Sequence, residues 1–374
     1  MTADKCDILL IGGGHSHVAV LADWARHGLP AERACLLTPS RHLQYSGMVP
    51  GWISGEHARE DSLVDLAGLA KRAGAELVLD RCVALDPQAR SVLTQKSGVM
   101  AFATASIDIG GVGQAARVLG EDPRLVDVRP MDRFIERLGA EVAKPRTEPM
   151  RVTVIGGGAG GFELAFALRN LSGVASTPEV SLILGEDAPL DGLSRKALAL
   201  ALQELRRQGM EVHEGNAAIQ NEQVAVAGKP LGPFDLIVAA IGSGPADWPR
   251  LGGLETDMPG FIAVDEFQRS VSHPFVFATG DCARRVDRPV PHSGVHAVHA
   301  GPFLARNLRA VLAGQEPDHS YRPRPTSLYL LSTGNGQAIA SYGAFAAQAR
   351  WASRLKAWID KRWLATYAAL SEGA

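Results

Sequence analysis

Backbone N–H groups, carboxylates and a set of imidazoles carry the spacings in this sequence that could do chemistry. Gly156, Gly158 and Gly161 form a complete G-x-G-x-x-G after an apolar run and before an apolar-periodic segment. In such a loop the first glycine permits the turn, the second lets backbone approach a pyrophosphate, and the third lets helix and strand pack closely. The helix N-terminus then attracts the phosphate charge. Gly12, Gly13 and Gly14 open a similar loop, with His15 and Ser16 behind them and His17 in the third glycine slot. There the helix must sit further from the strand, or His17 must pack at the crossing. Thr279-Gly280-Asp281 ends a third apolar run. A glycine and an aspartate at a strand end can present a carboxylate to a sugar or ribitol hydroxyl; alone, the same residues would be a strand end with a turn. His292, His296 and His299 are spaced for one helical face. Packing or proton delivery is expected of them, because no acid lies between them to support a metal.

The elements that must position these groups repeat. DILLIGGG at 7–14 returns as RVTVIGGG at 151–158, 144 positions later. Each loop leads into a helix-like segment, Val18–Trp24 and Phe162–Leu171, then a β-like run, Ala34–Thr38 and Val180–Leu184. Helix-like segments follow at Leu63–Ala73 and Arg195–Gln208, and short alternating strands around Cys82–Thr94 and Val212–Val226. Each copy closes on an apolar strand entering glycines, Ile107–Gly111 and Leu236–Gly242. This order predicts an α/β protein with two Rossmann-like dinucleotide-binding domains.

Composition narrows the function classes. Hydrophobic residues make up 46% and charged residues 21%, as in ordinary globular proteins and unlike disordered or coiled-coil chains. With 38 basic and 40 acidic residues, the net charge of −2 argues against nucleic acid as a partner. Glycine, at 40 residues, is over-used, which suits backbone that approaches ligands. The four cysteines form no C-x-x-C pair; Cys6, Cys35 and Cys82 fall in expected strands and read as core thiols. Few, scattered cysteines fit a reducing cytoplasm. The N-terminal run carries Asp4 and Asp7 and is too short for a signal peptide. No apolar stretch reaches 18 residues, so no membrane-spanning helix is expected.

An acidic residue after the second strand holds an adenosine ribose in many such domains. In the first copy that slot is Thr38, followed by Pro39. In the second, Glu186 and Asp187 follow the strand with no arginine nearer than Arg195, which favours NADH over NADPH.

Two dinucleotide loops with FVFATGDCA at 275–283 resemble the pyridine nucleotide–disulfide oxidoreductase superfamily. Within it, GGGHSHVAVL, YSGMVPGWISG, GSGPADW, FIAVDEFQRS and GVHAVHAGPFLARNLRAVLAG look like the flavoprotein module found N-terminal to selenide, water dikinase in fused proteins. That branch is similar to type II NADH dehydrogenases and sulfide:quinone reductases. The resemblance implies an FAD domain at 1–115 and 259–325, an inserted NAD(P)H domain at 116–258, and a C-terminal segment at 326–374. It implies FAD contacts at Gly12, Gly13, Gly14, His15, Ser16, Thr38, Pro39, Val83, Gly110, Gly280 and Asp281. NADH contacts would be Gly156, Gly158, Gly161, Glu186 and Gly242. Glu163 matches a superfamily glutamate near the nicotinamide; read from its position alone, it is equally a capping or surface carboxylate. A helix from about Ser293, with Ser293 as its cap, would point its positive end at the flavin's pyrimidine ring. The superfamily's cysteine pair is missing from Gln44–Gly51, and Gly294-Val295 stands where type II dehydrogenases carry Ala-Gln.

These features imply hydride transfer from NADH to FAD and onward transfer to a small non-thiol acceptor such as a quinone. The alternatives are a non-catalytic FAD- and NADH-responsive flavoprotein that regulates a partner, or a reductase of selenium or sulfur chemistry. Residues 346–370 lack Gly and Pro, and a continuous helix there would carry Trp351, Leu355, Trp358, Ile359 and Trp363 on one broad face. Arg350, Arg354, Lys356, Lys361 and Arg362 against Asp360 give that stretch a net +4. Such a helix suits peripheral contact with the inner face of a membrane, or docking on its own core or on a second subunit in a homodimer.

Overall fold

The computed structural model describes residues 5–324 and 326–371. Asp4 and the segment limits drawn above at residues 1, 325 and 374 lie outside the described residues. The run Cys6–Ile11 is a strand that pairs in parallel with Ala34–Thr38 on one side and Val99–Ile107 on the other. Leu9, Leu10 and Leu36 have no exposed surface, which is why the run is apolar throughout and does not alternate. Ala75–Leu79 adds a further parallel strand; Ser91–Thr94 and Cys82–Asp86 extend the opposite edge antiparallel. Val276–Ala278 joins the same sheet beside Val99–Ile107, so the chain returns to its first sheet after building a second.

That second sheet is wholly parallel, in the order Glu211–Glu214, Glu179–Leu184, Arg151–Ile155, Leu236–Ala239, Leu125–Asp127. Helices His15–His27 and Ala159–Arg169 follow the first strand of each repeat. The expected helix over 63–73 starts only at Leu66. Leu63–Asp65 pairs with His42–Gln44, and the Asp65 carboxylate caps the helix by accepting from the Gly68 N–H at 3.0 Å.

The chain from Tyr329 forms a three-stranded antiparallel sheet, Tyr329–Ser332, Ala338–Tyr342 and Phe345–Ala349, before the helix Arg350–Ser371. The helix expected from 346 therefore begins four residues later. Gly343, at φ +55°, makes a tight hairpin that pairs Tyr342 with Phe345, and the strand ladder outcompetes helix propensity. Glu204 of the helix Arg195–Arg207 ties this sheet down, accepting from Arg207, Gln208, Asn335 and Gln348. Burial opposes its ionisation, but these donors hold its carboxyl down to about 2.

Cys6 and Cys35 are not free core thiols: a disulfide joins them across adjacent strands. Parallel pairing brings together residues 29 positions apart, a proximity that no local spacing announces. Cys82 and Cys282 are free and buried.

Candidate active site

Both glycine loops are built alike. Gly12 N–H donates to Leu37 O at 2.8 Å, and Gly156 N–H to Ile183 O at 2.9 Å. Both have positive φ, +94° and +142°, and a Cβ on either would strike the carbonyl at the end of the next strand, Asp108 O at 2.3 Å or Ala240 O at 2.2 Å. Asp108 and Ala240 are thus equivalent positions of the two repeats. At the third glycine slot the loops part. A Cβ on Gly161 would come within 2.0 Å of Gly156 O, so helix and strand touch there. In the first copy His17 packs at the crossing, fully buried, its Nδ1 2.6 Å from Gly12 O and its Nε2 2.9 Å from Ser106 Oγ. Burial lowers its pKa to about 4, so it is neutral. A carbonyl only accepts, so Nδ1–H donates to Gly12 O and Nε2 accepts from the Ser106 hydroxyl.

The first loop meets the Thr279-Gly280-Asp281 turn directly. Ser16 Oγ donates to Ala297 O at 2.7 Å and lies 3.1 Å from Thr279 Oγ1. Ser293 caps the helix Gly294–Leu312, accepting from the His296 N–H at 3.5 Å. One cavity is lined by Thr279, Gly280, His292, Ser293, His296 and Ala297, so the positive end of that helix and the turn share it. Asp281 Oδ2 lies 3.4 Å from the Arg129 guanidinium, whereas its Oδ1 is buried without a partner among the described residues. An orphaned carboxylate oxygen beside a glycine turn fits a sugar or ribityl hydroxyl donor. The histidines take separate partners: His292 faces Ala283 O at 3.1 Å and the Phe261 ring, and His296 faces the Tyr321 hydroxyl at 2.8 Å, with His299 near enough to lower the His296 pKa beyond the effect of burial.

The remaining expected residues divide. Thr38 is buried, with its Oγ1 against Gly13. Gly110 and Gly242 occupy matching strand exits at φ +66° and +81°. Pro39 and Glu186 are exposed, and Val83 is 39% exposed on an outer strand. Among the described residues, no hydrogen bond or ring contact links these three to the loops.

Glu163 is neither a cap nor a surface carboxylate. Its Oε1 accepts from Ser332 N–H of the C-terminal sheet at 2.9 Å. Burial raises its carboxyl above the ordinary range, and the Lys356 ammonium pulls it back. Lys356, on the C-terminal helix, donates to Gly47 O at 2.6 Å and to Asp360 Oδ2 at 2.9 Å. Asp360 also accepts from the Tyr45 hydroxyl at 3.1 Å, and Tyr45 stacks on Trp363 with ring centroids 4.5 Å apart. His15 contacts both rings, at 5.7 and 5.6 Å. The loop at 45–51, the second repeat's helix and the C-terminal helix therefore close on one buried charged cluster. Sequence reasoning missed Lys356 and Asp360, counting both among surface charges. Their i,i+4 spacing on the side away from Trp351 and Trp358 was the available signal.

Residues 6–301 match the family described as pyridine nucleotide-disulphide oxidoreductase. The chain belongs to that family. This oxidoreductase is FAD-dependent, with NAD(P)H as co-substrate. Among solved structures, it is similar to the sulfide:quinone oxidoreductase of Aquifex aeolicus, at TM-score 0.76 and 16% identity over 98% of this chain and 92% of that one. The water-forming NADH oxidase of Lactobacillus brevis gives TM-score 0.71 and 19% identity, covering 91% and 75%. A ferredoxin reductase from Rhodopseudomonas palustris gives 0.70 and 20%, covering 94% and 93%. At these identities the likeness is one of fold.

Proposed function

We propose that this oxidoreductase takes hydride from NADH and passes electrons to a quinone or another small non-thiol acceptor. The observation that carries the non-thiol reading is the state of the cysteines. The loop Gln44–Gly51 has none. Cys82 and Cys282 are buried, and burial pushes both thiols up to about 12, so neither is a thiolate near neutral pH. The Cys6–Cys35 bridge begins at the far end of the strand that leads into Gly12, six residue steps or roughly 20 Å away.

In this reading the Gly12–Gly14 loop holds the FAD diphosphate, with Thr38 and Pro39 toward its adenosine and Asp281 on a hydroxyl. The Gly156–Gly161 loop holds NADH, Glu186 its ribose, and Glu163 orients the nicotinamide. When bound, FAD supplies a two-electron acceptor that can discharge to one- or two-electron partners. Lys356 and Asp360 exclude water from the junction and hold Glu163 and Tyr45 in place. The domain limits 1–115, 116–258, 259–325 and 326–374 belong to the same proposal.

Anaerobic mixing with NADH tests it. A Cys82→Ser, Cys282→Ser variant is expected to bleach as fast as the wild type and then to reoxidise on adding a short-chain quinone. NADPH is expected to be at least about tenfold poorer in kcat/KM, because Glu186 and Asp187 would repel its 2′-phosphate. A folded, flavin-loaded variant that NADH cannot bleach overturns the non-thiol route.

The C-terminal helix supports a peripheral membrane location, in line with a lipid-borne acceptor. No helix among the described residues is long and apolar enough to cross a membrane. The helix nevertheless presents two different faces. Trp363, Leu364 and Tyr367 dock on the core of the first sheet, whereas Trp351, Trp358 and Ile359 are 49%, 58% and 38% exposed. Trp363 thus leaves the single broad face expected from sequence. Arg350, Arg354, Lys361 and Arg362 are all exposed, with the Arg362 guanidinium 5.4 Å from the Trp358 ring centroid, while Asp360 points inward. A basic, tryptophan-bearing outer face fits an anionic headgroup layer. The full-length protein is expected to float with anionic vesicles at low salt, and a Trp351→Ser, Trp358→Ser variant to stay in solution. Equal behaviour of the two assigns this face to protein contact, a second copy included.

A further inference from the structure

Besides the third glycine slot, the two glycine loops differ at a second buried position, which faces the start of the first helix. In the second repeat it is Ala240; a Cβ on Gly158, the residue capping that helix, would meet nothing within 4 Å. In the first repeat it is Asp108, only 2% exposed. Its Oδ2 accepts from the N–H groups of Ser16 and His17 at 2.8 and 3.0 Å, two of the four free donors at the start of the helix His15–His27. Its Oδ1 would lie 2.2 Å from a Cβ on Gly14 and 2.8 Å from one on Gly280. The carboxyl group therefore fills the corner between the glycine loop and the Gly280–Asp281 turn.

The groups facing it offer little compensation. The Gly280–Cys282 turn brings the Asp281 carboxylate and the buried Cys282 thiol. The helix brings His17, neutral and committed to Gly12 and Ser106, and His15, whose pKa burial and Arg129 lower to about 4. Arg129 is spent on Asp281. Burial first, and Asp281 in addition, raise the Asp108 carboxyl to about 7 against the two helix N–H donors, so both of its protonation states are within reach near neutral pH.

We propose that Asp108 gates the FAD site by proton: a diphosphate settles on the N-terminus of the first helix only as Asp108 takes up a proton. This rests on the reading of the Gly12–Gly14 loop as the FAD loop. An ionised Asp108 and a dinucleotide diphosphate would place like charges at one helix end, whereas a neutral carboxyl can also donate a hydrogen bond to a phosphate oxygen. The second loop, with alanine in the equivalent place, carries no such coupling. On binding, the carboxylate gains H⁺ from solvent, and release of the dinucleotide returns it. FAD affinity then falls as pH rises through neutrality, while NADH binding at the second loop does not follow the same slope.

The test uses the isolated holoprotein in concentrated bromide, which weakens diphosphate binding enough to give measurable free flavin. Free FAD is read by its fluorescence at about pH 6 and about pH 8.5. One linked proton with an apparent pKa near 7 predicts about a 30-fold weaker affinity at the higher pH. Asp108→Asn keeps a helix-capping oxygen and is expected to hold FAD with little pH dependence. A pH-independent wild type, or a variant with the wild-type slope, overturns the proposal. A second measurement needs no variant: in lightly buffered solution with an indicator dye, flavin release near pH 7.5 is expected to liberate a substantial fraction of a proton per FAD, and none liberated overturns it. A wild type isolated with no flavin spectrum at any pH instead overturns the FAD reading itself.

Discussion

Asp281→Ala is expected to give a folded protein that no longer retains its flavin. The expectation follows from an imbalance within one side chain. Asp281 Oδ2 faces Arg129 at 3.4 Å, but Oδ1 is buried with no hydrogen-bond partner among the described residues. Leaving a buried carboxylate oxygen unpaired costs stability, so its presence marks a donor that the protein itself does not provide. A hydroxyl donating to this carboxylate would contribute about 1.5–3 kcal/mol, roughly 10- to 150-fold in affinity. Removing the carboxyl takes that away while relieving the uncompensated oxygen, so the fold should keep most of its stability. Flavin absorbance per chain, alongside circular dichroism and a melting curve, checks both halves. Full flavin occupancy in the folded variant would remove Asp281 from the site.

Lys356→Met is expected to be the most destabilising single change in the C-terminal segment and to slow flavin reduction by NADH. The ammonium holds Gly47 O and Asp360 from the helix side and lies in the field of Glu163. Methionine keeps the length of the stem but leaves Asp360 and Glu163 without their cation. Stripping one partner from a buried ionic cluster costs about 3–5 kcal/mol. The sign with pH follows from Glu163. Its folded pKa is raised above 4.5, so its ionised form opposes folding above that pH, more so once the lysine is gone. The stability deficit of the variant is therefore largest near neutrality and shrinks as pH falls toward 4.5. Melting curves of Lys356→Met, Glu163→Gln and the double variant complete a cycle, with a coupling of roughly 1–3 kcal/mol expected. Additive effects would mean that Lys356 and Glu163 do not act together, and an unchanged reduction rate would remove Lys356 from the site.

The architecture was legible in the sequence to an unusual depth because its signals are local. A buried parallel strand must be apolar along its length, and a glycine loop that brings backbone to a phosphate must carry glycine at fixed spacing. The repeat at 7–14 and 151–158 doubles that signal, and the glycines match positions where a Cβ would strike backbone, at Gly12, Gly156 and Gly161. Ser293 as a helix cap was readable for the same reason, since capping is decided within one turn. Even the cost of His17 in a glycine slot could be anticipated, though not its solution, a neutral imidazole bonded at both nitrogens.

Tertiary structure decided what depends on partners distant in sequence. The Cys6–Cys35 disulfide needs two strands in register, and sequence spacing contains no register. The orientation of the C-terminal helix needs the core it lands on: a broad apolar face can rotate by a residue or two, and the rotation turned Trp363 inward and left Trp351 and Trp358 outside. Lys356 and Asp360 read as ordinary helix-surface charges until Gly47, Tyr45 and Glu163, from two other parts of the chain, are placed against them. Asp108 shows the division most sharply. In sequence it is one acid at the end of an apolar run; only the matching geometry of two glycine loops sets it against Ala240 and shows a carboxyl group at the N-terminus of the first helix. Local chemistry selects the elements, and long-range contact, which costs loop entropy and is repaid only when the whole sheet forms, decides which side chains meet.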